Sequence, residues 1–233
     1  MSGVQIWLAH LDSLSAAQLE TLGALLDPGE RARAARFHFE SDYNHYIACR
    51  GLLRRLISAA LDTPASTLVI EYGVHGKPAI APDANPRALR FNLSHSNGWA
   101  LFALAWDREV GIDLESGVRL ESDENDLSLL AERILSEREL AIWHSLPDSA
   151  TRRAAFLRAW TRKEAFAKAT GKGVFDQWNR FEFVLDATSP NPSVIVRLPP
   201  HGEELASAWL VHDLSAPDGF AAALALEQKN PLP

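Results

Sequence analysis

The segment Val110-Gly111-Ile112-Asp113-Leu114-Glu115 sets two carboxylates two residues apart inside an apolar run. In a strand, alternate side chains share a face, so Asp113 and Glu115 point one way while Ile112 and Leu114 point into a core. Carboxylates placed like this repel each other unless a cation lies between them. Hard oxygen ligands of this kind suit Mg²⁺, which takes one or two carboxylates together with water and substrate phosphate oxygens. The same spacing also fits a solvated strand end running into Ser116-Gly117, and the motif alone leaves both readings open.

A second group is Trp160-Thr161-Arg162-Lys163-Glu164-Ala165-Phe166-Ala167-Lys168. On a helix, Trp160, Glu164 and Lys168 fall at i, i+4 and i+8 and line one side. That predicts either an ordinary Glu164–Lys168 pair worth ~0.2–0.5 kcal/mol or a reaction site. In the second case Glu164 is a metal ligand or general base, and Lys163 and Lys168 neutralise phosphate. A third group, Phe91-Asn92-Leu93-Ser94-His95-Ser96, follows Gly76-Lys77-Pro78. It places hydroxyl and imidazole donors in an expected turn after a short apolar strand, a setting that can hold phosphate oxygens. Neither serine lies in a G-x-S-x-G nucleophile elbow. No P-loop or G-x-G-x-x-G is present, and the remaining histidines lack metal-ligand spacing.

Long helices and short strands are needed to hold these groups. Residues 42–61 carry Tyr46, Cys49, Leu53, Leu56 and Ile57 at helical spacing; residues 151–169 carry Phe156, Trp160 and Phe166, with Gly171 as a C-terminal stop. Shorter helices are predicted to start at Asp27-Pro28 and at Ser136. Strands are predicted over 6–9, 68–72, 99–106, 110–114, 181–185, 194–198, 209–212 and 220–226. Gly98-Trp99-Ala100 is echoed by Gly219-Phe220-Ala221, and Leu26-Asp27-Pro28 by Leu135-Ser136, which predicts two similar halves.

The chain has 233 residues, is 47% hydrophobic and carries a formal net charge of −7. That acidity argues against a general nucleic-acid binder. The charge is segregated, however: residues 30–55 are net +3, 151–172 net +6 and 121–139 net −5. The basic stretches could focus an anionic ligand or form solvated helix faces. Cys49 is the single cysteine, so no intramolecular disulfide is possible and a reducing compartment fits. The first residues lack a secretory pattern, and no apolar run approaches the ~20 residues of a membrane span. A cytoplasmic protein is expected.

Taken in order, Gly76-Lys77-Pro78, Phe91 to Ser96, Gly111 to Glu115, Trp160 to Lys168 and Gly171-Lys172-Gly173 resemble the 4′-phosphopantetheinyl transferase superfamily, in its longer, Sfp-like type. The resemblance implies an α+β fold of two pseudo-twofold-related α/β lobes, 1–108 and 109–233, with the active site in the cleft between them. It implies Mg²⁺, with Mn²⁺ as a substitute, held by Asp113, Glu115 and Glu164. Coenzyme A would be bound through Lys77, Ser94, His95, Lys163 and Lys168, with Arg50 on the 3′-phosphate side. Glu164, Lys168 and His95 would act in catalysis, Glu164 as the base. The implied reaction moves 4′-phosphopantetheine from coenzyme A to a serine of an apo acyl or peptidyl carrier protein and releases adenosine 3′,5′-bisphosphate. No nucleic-acid or membrane partner is implied, and a monomer is expected. Leu127, Leu129, Leu130 and Ile134 form either a carrier-docking surface or core. A Mg²⁺-dependent nuclease or phosphodiesterase would want a lysine soon after Glu115 and a basic groove, whereas Ser116-Gly117 follows here. A non-catalytic coenzyme A or carrier-binding module is disfavoured by the intact carboxylates.

Overall fold

The computed structural model describes residues 3–73, 75–120, 124–171, 182–183 and 209–229. Two three-stranded antiparallel sheets form its centre. In the first, β5 (Trp99–Trp106) lies between β1 (Gln5–His10) and β4 (Leu89–Ser96); in the second, β8 (Phe220–Glu227) lies between β6 (Val110–Ser116) and β7 (Trp209–Leu214). A small hairpin, β2 (Ile70–Tyr72) with β3 (Pro78–Ile80), stands apart from both. Each central strand is entered through a glycine in the left-handed region, Gly98 at φ 78° and Gly219 at φ 80°. A side chain is strained in that conformation, so the Gly-aromatic-Ala echo marks equivalent turns.

The layers run helix, sheet, sheet, helix. Helix α3 (Glu40–Leu61) packs Cys49, Leu53 and Ile57 against Phe91, Phe102 and Leu104 of the first sheet. The opposite face of that sheet, Leu101, Ala103 and Ala105, meets Ile112, Leu114, Ala222 and Leu224 of the second. Helix α6 (Ser149–Thr170) covers the far side, with Ala165, Phe166 and Ala169 against Val211, Ala223 and Ala225. Its end is set by Gly171 at φ 64°. Gly111 allows this contact: a Cβ there would overlap Ala165 O and Ala169 N and lie 2.8 Å from Ala169 Cα.

Two short helices precede the long ones, and their caps repeat. Asp27 caps α2 (Pro28–Ala34) and Ser136 caps α5 (Glu137–His144), each in a full capping box closed by Glu30 or Glu139. Both glutamates are buried and reach a cation 24 residues on: Glu30 accepts from Arg54 Nε at 2.5 Å and Glu139 from Lys163 Nζ at 2.7 Å. The two halves thus share an anchor as well as an order of elements.

Several sequence expectations need correction. Helices α1 (Ala16–Gly23), capped by the Ser15–Gln18 box, and α4 (Glu124–Ile134) were not anticipated, nor was β3. Ser94, His95 and Ser96 do not form a turn: they continue β4 in full register with β5. The expected strands at 181–185 and 194–198 lie outside the described residues, apart from 182–183. Among the described residues no helix is long and apolar enough to cross a membrane.

Candidate active site

Strand β6 presents Asp113 to α6, with its neighbours Ile112 and Leu114 buried between the sheets. Asp113 is 1% exposed, and its Oδ1 accepts from Lys168 Nζ at 2.6 Å and from Ser94 Oγ at 2.9 Å. Ser94 Oγ in turn accepts from Lys168 Nζ at 3.0 Å, closing a triangle between the two halves. Asp113 Oδ2 is buried and has no hydrogen-bond partner among the described residues. An orphaned carboxylate oxygen at such depth is unfavourable unless a ligand or ion completes it.

The other two carboxylates stand close by. Trp160 Nε1 donates to Glu115 Oε1 at 3.3 Å. Burial first, then the Asp113 charge and, more weakly, Glu115, push the Glu164 carboxyl up to about 7, while Lys168 pulls it down. Like charges that raise one another's pKa beside a bare oxygen favour a bound cation. Among the described residues no three His, Cys, Asp or Glu side chains already converge as a ligand set. Instead, the Lys168 ammonium supplies the countercharge to Asp113. The donor chemistry of Asp113, Glu115 and Glu164 therefore fits a hard divalent cation, provided that Lys168 swings from Oδ1 toward the substrate.

Glu164 and Lys168 open onto a cavity of about 330 Å³ that is also lined by Lys77, Asn92, Leu93 and Gly171. Lys77 Nζ donates to Glu109 Oε2 at 2.7 Å and to Ala169 O at 2.6 Å, which ties the loop before β3 to the end of α6. Its burial lowers the ammonium pKa, against the pull of Glu109. A larger cavity of about 450 Å³ near the start of α6 holds Arg153, Arg158 and Asp213, but Asp213 is already held by Arg162 at 2.6 Å.

Not every anticipated residue joins this group. Lys163 lies next to Glu164 in sequence but is turned away and is 1% exposed. Its Nζ donates to Glu139 Oε2 at 2.7 Å and Ile134 O at 2.8 Å, so the expectation that it meets phosphate is corrected: the helix rotates it into the core. His95 is exposed on the face of β4 opposite Ser94, as strand alternation requires. Arg50 is 8% exposed; its Nε donates to Glu30 Oε1 at 2.7 Å and its NH2 group to the Tyr72 hydroxyl at 2.8 Å. Arg50, Arg54, Arg162, Lys163 and Lys168 on the two long helices are thus each paired with a carboxylate. Leu127 and Ile134 are buried in the core, while Leu129 and Leu130 are 66% and 41% exposed.

Two family models match the chain, one in each half. The model of the 4′-phosphopantetheinyl transferase superfamily matches residues 109–225, and that of the 4′-phosphopantetheinyl transferase N-terminal region matches 13–106. The chain belongs to the 4′-phosphopantetheinyl transferase superfamily. It is 36% identical over 223 residues to the 4′-phosphopantetheinyl transferase HetI of a Nostoc species, covering 96% of this chain and 87% of that one. It is 34% identical over 197 residues to the 4′-phosphopantetheinyl transferase psf-1 of Bacillus pumilus, covering 84% and 78%. Among solved structures, the Helicobacter pylori holo-[acyl-carrier-protein] synthase in complex with coenzyme A aligns over 51% of this chain and 99% of its own, at 21% identity and TM-score 0.39.

Proposed function

We infer that this transferase moves 4′-phosphopantetheine from coenzyme A to a serine of an apo acyl or peptidyl carrier protein, releasing adenosine 3′,5′-bisphosphate. Family membership supports the reaction class. The observation that carries the site is the bare, buried Asp113 Oδ2, on a carboxylate whose charge helps burial push the Glu164 carboxyl up to about 7. Asp113, Glu115 and Glu164 would hold Mg²⁺, which offsets the charge that builds on the phosphoanhydride as it breaks. Lys168 would leave Asp113 for a phosphate oxygen, and the Ser94 hydroxyl would donate beside it by turning from Asp113 Oδ1. Lys77 would reach the same cavity once Glu109 is shared with Arg90, which already holds Glu109 Oε1 at 2.7 Å. Glu164 would also take the serine proton, directly or through a water, with Mg²⁺ holding its carboxylate ionised. His95 and Arg50 would meet the substrate only where it passes beyond β4 and α3. One cleft in one chain, acting as a monomer in the cytoplasm and built from lobes 1–108 and 109–233, completes the reading.

The test is direct. The protein is mixed with coenzyme A, Mg²⁺ and a panel of apo carrier proteins, and each carrier is weighed by intact mass spectrometry. A phosphopantetheine adduct that vanishes with chelator is expected. No adduct on any carrier would refute the assignment.

A further inference from the structure

Strand β6 lies at the edge of its sheet and pairs only with β8 among the described strands, so its other edge turns toward β4. There the amide of Ile112 donates to Asn92 Oδ1 at 2.9 Å, and the amide of Ser116 donates to Ser96 Oγ at 3.1 Å. Between them Ser94 Oγ donates to Asp113 Oδ1. The contacts advance together along both strands, so β4 and β6 run side by side in the same direction, joined by side chains in place of a backbone ladder. Asn92 is 5% and Ser96 9% exposed. Neither acts as a phosphate donor in the reading above.

The apolar layer between the sheets cannot set this alignment alone. It is built from Leu101, Ala103 and Ala105 against Ile112, Leu114 and Ala222, and such contact is non-directional. Strand alternation permits slips only in steps of two residues, about 6.6 Å. One step would keep every apolar side chain inside while carrying Asp113 out of reach of Ser94. It would also leave buried amides on β6 without acceptors, which is unfavourable. We propose that Asn92 and Ser96 are positioning residues that lock the register of the first half against the second. They thereby hold Asp113 in place against Ser94. This rests on the reading that coenzyme A binds across both halves.

The experiment compares Ser96→Thr with Ser96→Val, which are close in shape but differ in the acceptor oxygen. Amide hydrogen exchange of the full chain is followed by NMR, and coenzyme A binding in Mg²⁺ by calorimetry. Ser96→Val should speed exchange at Ser116 while amides facing β8 keep their protection. It should weaken coenzyme A binding and lower kcat/KM by at least about tenfold, since small displacements of reacting groups are costly. Ser96→Thr should restore both within about twofold of the natural protein. Ser96→Ala, which adds no bulk, stands in if Ser96→Val fails to fold. Unchanged Ser116 exchange in these acceptor-free variants, or coenzyme A binding and transfer equal to those of Ser96→Thr, would overturn the proposal. If the natural protein takes up no coenzyme A, the functional reading falls, while the exchange measurement still decides whether Ser96 caps β6.

Discussion

Lys163 separates a structural from a catalytic account of the long basic helix. Its Nζ is buried and bonded to Glu139 and Ile134 O. Glu139 also accepts from the amides of Ser136 at 2.8 Å and Phe183 at 2.7 Å, so it stays in place when the lysine is removed. Lys163→Met should therefore leave a buried carboxylate without its cation, which costs about 3–5 kcal/mol. The exposed lone pair of Ile134 O adds roughly 1 kcal/mol. For a chain of this size each kcal/mol moves Tm by about 2–4 °C, so Tm should fall by roughly 8–24 °C. Adding Glu139→Gln, which keeps an acceptor for Phe183 without the charge, should recover part of the loss. The assay is thermal and urea unfolding of the natural protein, both single variants and the double, with coenzyme A affinity measured at 10 °C where all remain folded. Affinity should stay within a few fold throughout. An unchanged Tm in Lys163→Met, with coenzyme A binding lost, would refute this reasoning and return Lys163 to the phosphates.

Asp113→Asn should abolish transfer yet leave a folded protein, as judged by intact mass of the carrier and by circular dichroism, because it removes one of three crowded charges. Gly111→Ala should destabilise the fold by about 1–3 kcal/mol in urea and lower kcat, since the added Cβ meets helix backbone that cannot turn aside. The Glu164 carboxyl, raised from 4.5 to about 7, makes the metal-free fold bind more protons than the unfolded chain in that interval. Its contribution to stability is thus full below about pH 4.5 and is lost as pH rises through 7. At about 1.4 kcal/mol per tenfold, and discounted for its partial exposure, the loss is about 1–2 kcal/mol. In EDTA, Glu164→Gln should flatten that part of the stability profile; an unaltered slope would show that Glu164 does not titrate there.

What could be read from the chain depended on the range of the interaction. Alternation in Ile112-Asp113-Leu114-Glu115 and the i, i+4, i+8 series Trp160, Glu164, Lys168 are local periodicities, and the structure keeps both. The glycine echo likewise marked the two central strands. Lys163 misled because a helical neighbour of Glu164 points about 100° away from it, toward a partner 24 residues earlier. The signal was nonetheless present: Asp27-x-x-Glu30 and Ser136-x-x-Glu139 are matching capping boxes, each followed at that distance by a cation. Ser94 and Ser96 read as turn residues because their polarity is met by β6, which no local pattern reveals. Charge arithmetic counted Arg50 and Arg54 as available, whereas Glu30 engages both.

The duplicated framework also bears on why the proposed cation site has no counterpart among the described residues of the first half. Trp7 faces Phe102 in the first sheet as Asp113 faces Ala223 in the second, and Ala9 faces Ala100 as Glu115 faces Ala221. On the long helices Arg54 answers to Lys163, so Arg55 stands where the other half has Glu164. The mirrored position is therefore an indole, a methyl group and a guanidinium, with no oxygen to offer an ion. Both halves kept the anchor and the turn; only the second kept the acids. Titration with coenzyme A should accordingly saturate at one equivalent per chain, with the first half acting as a wall rather than a second reactor.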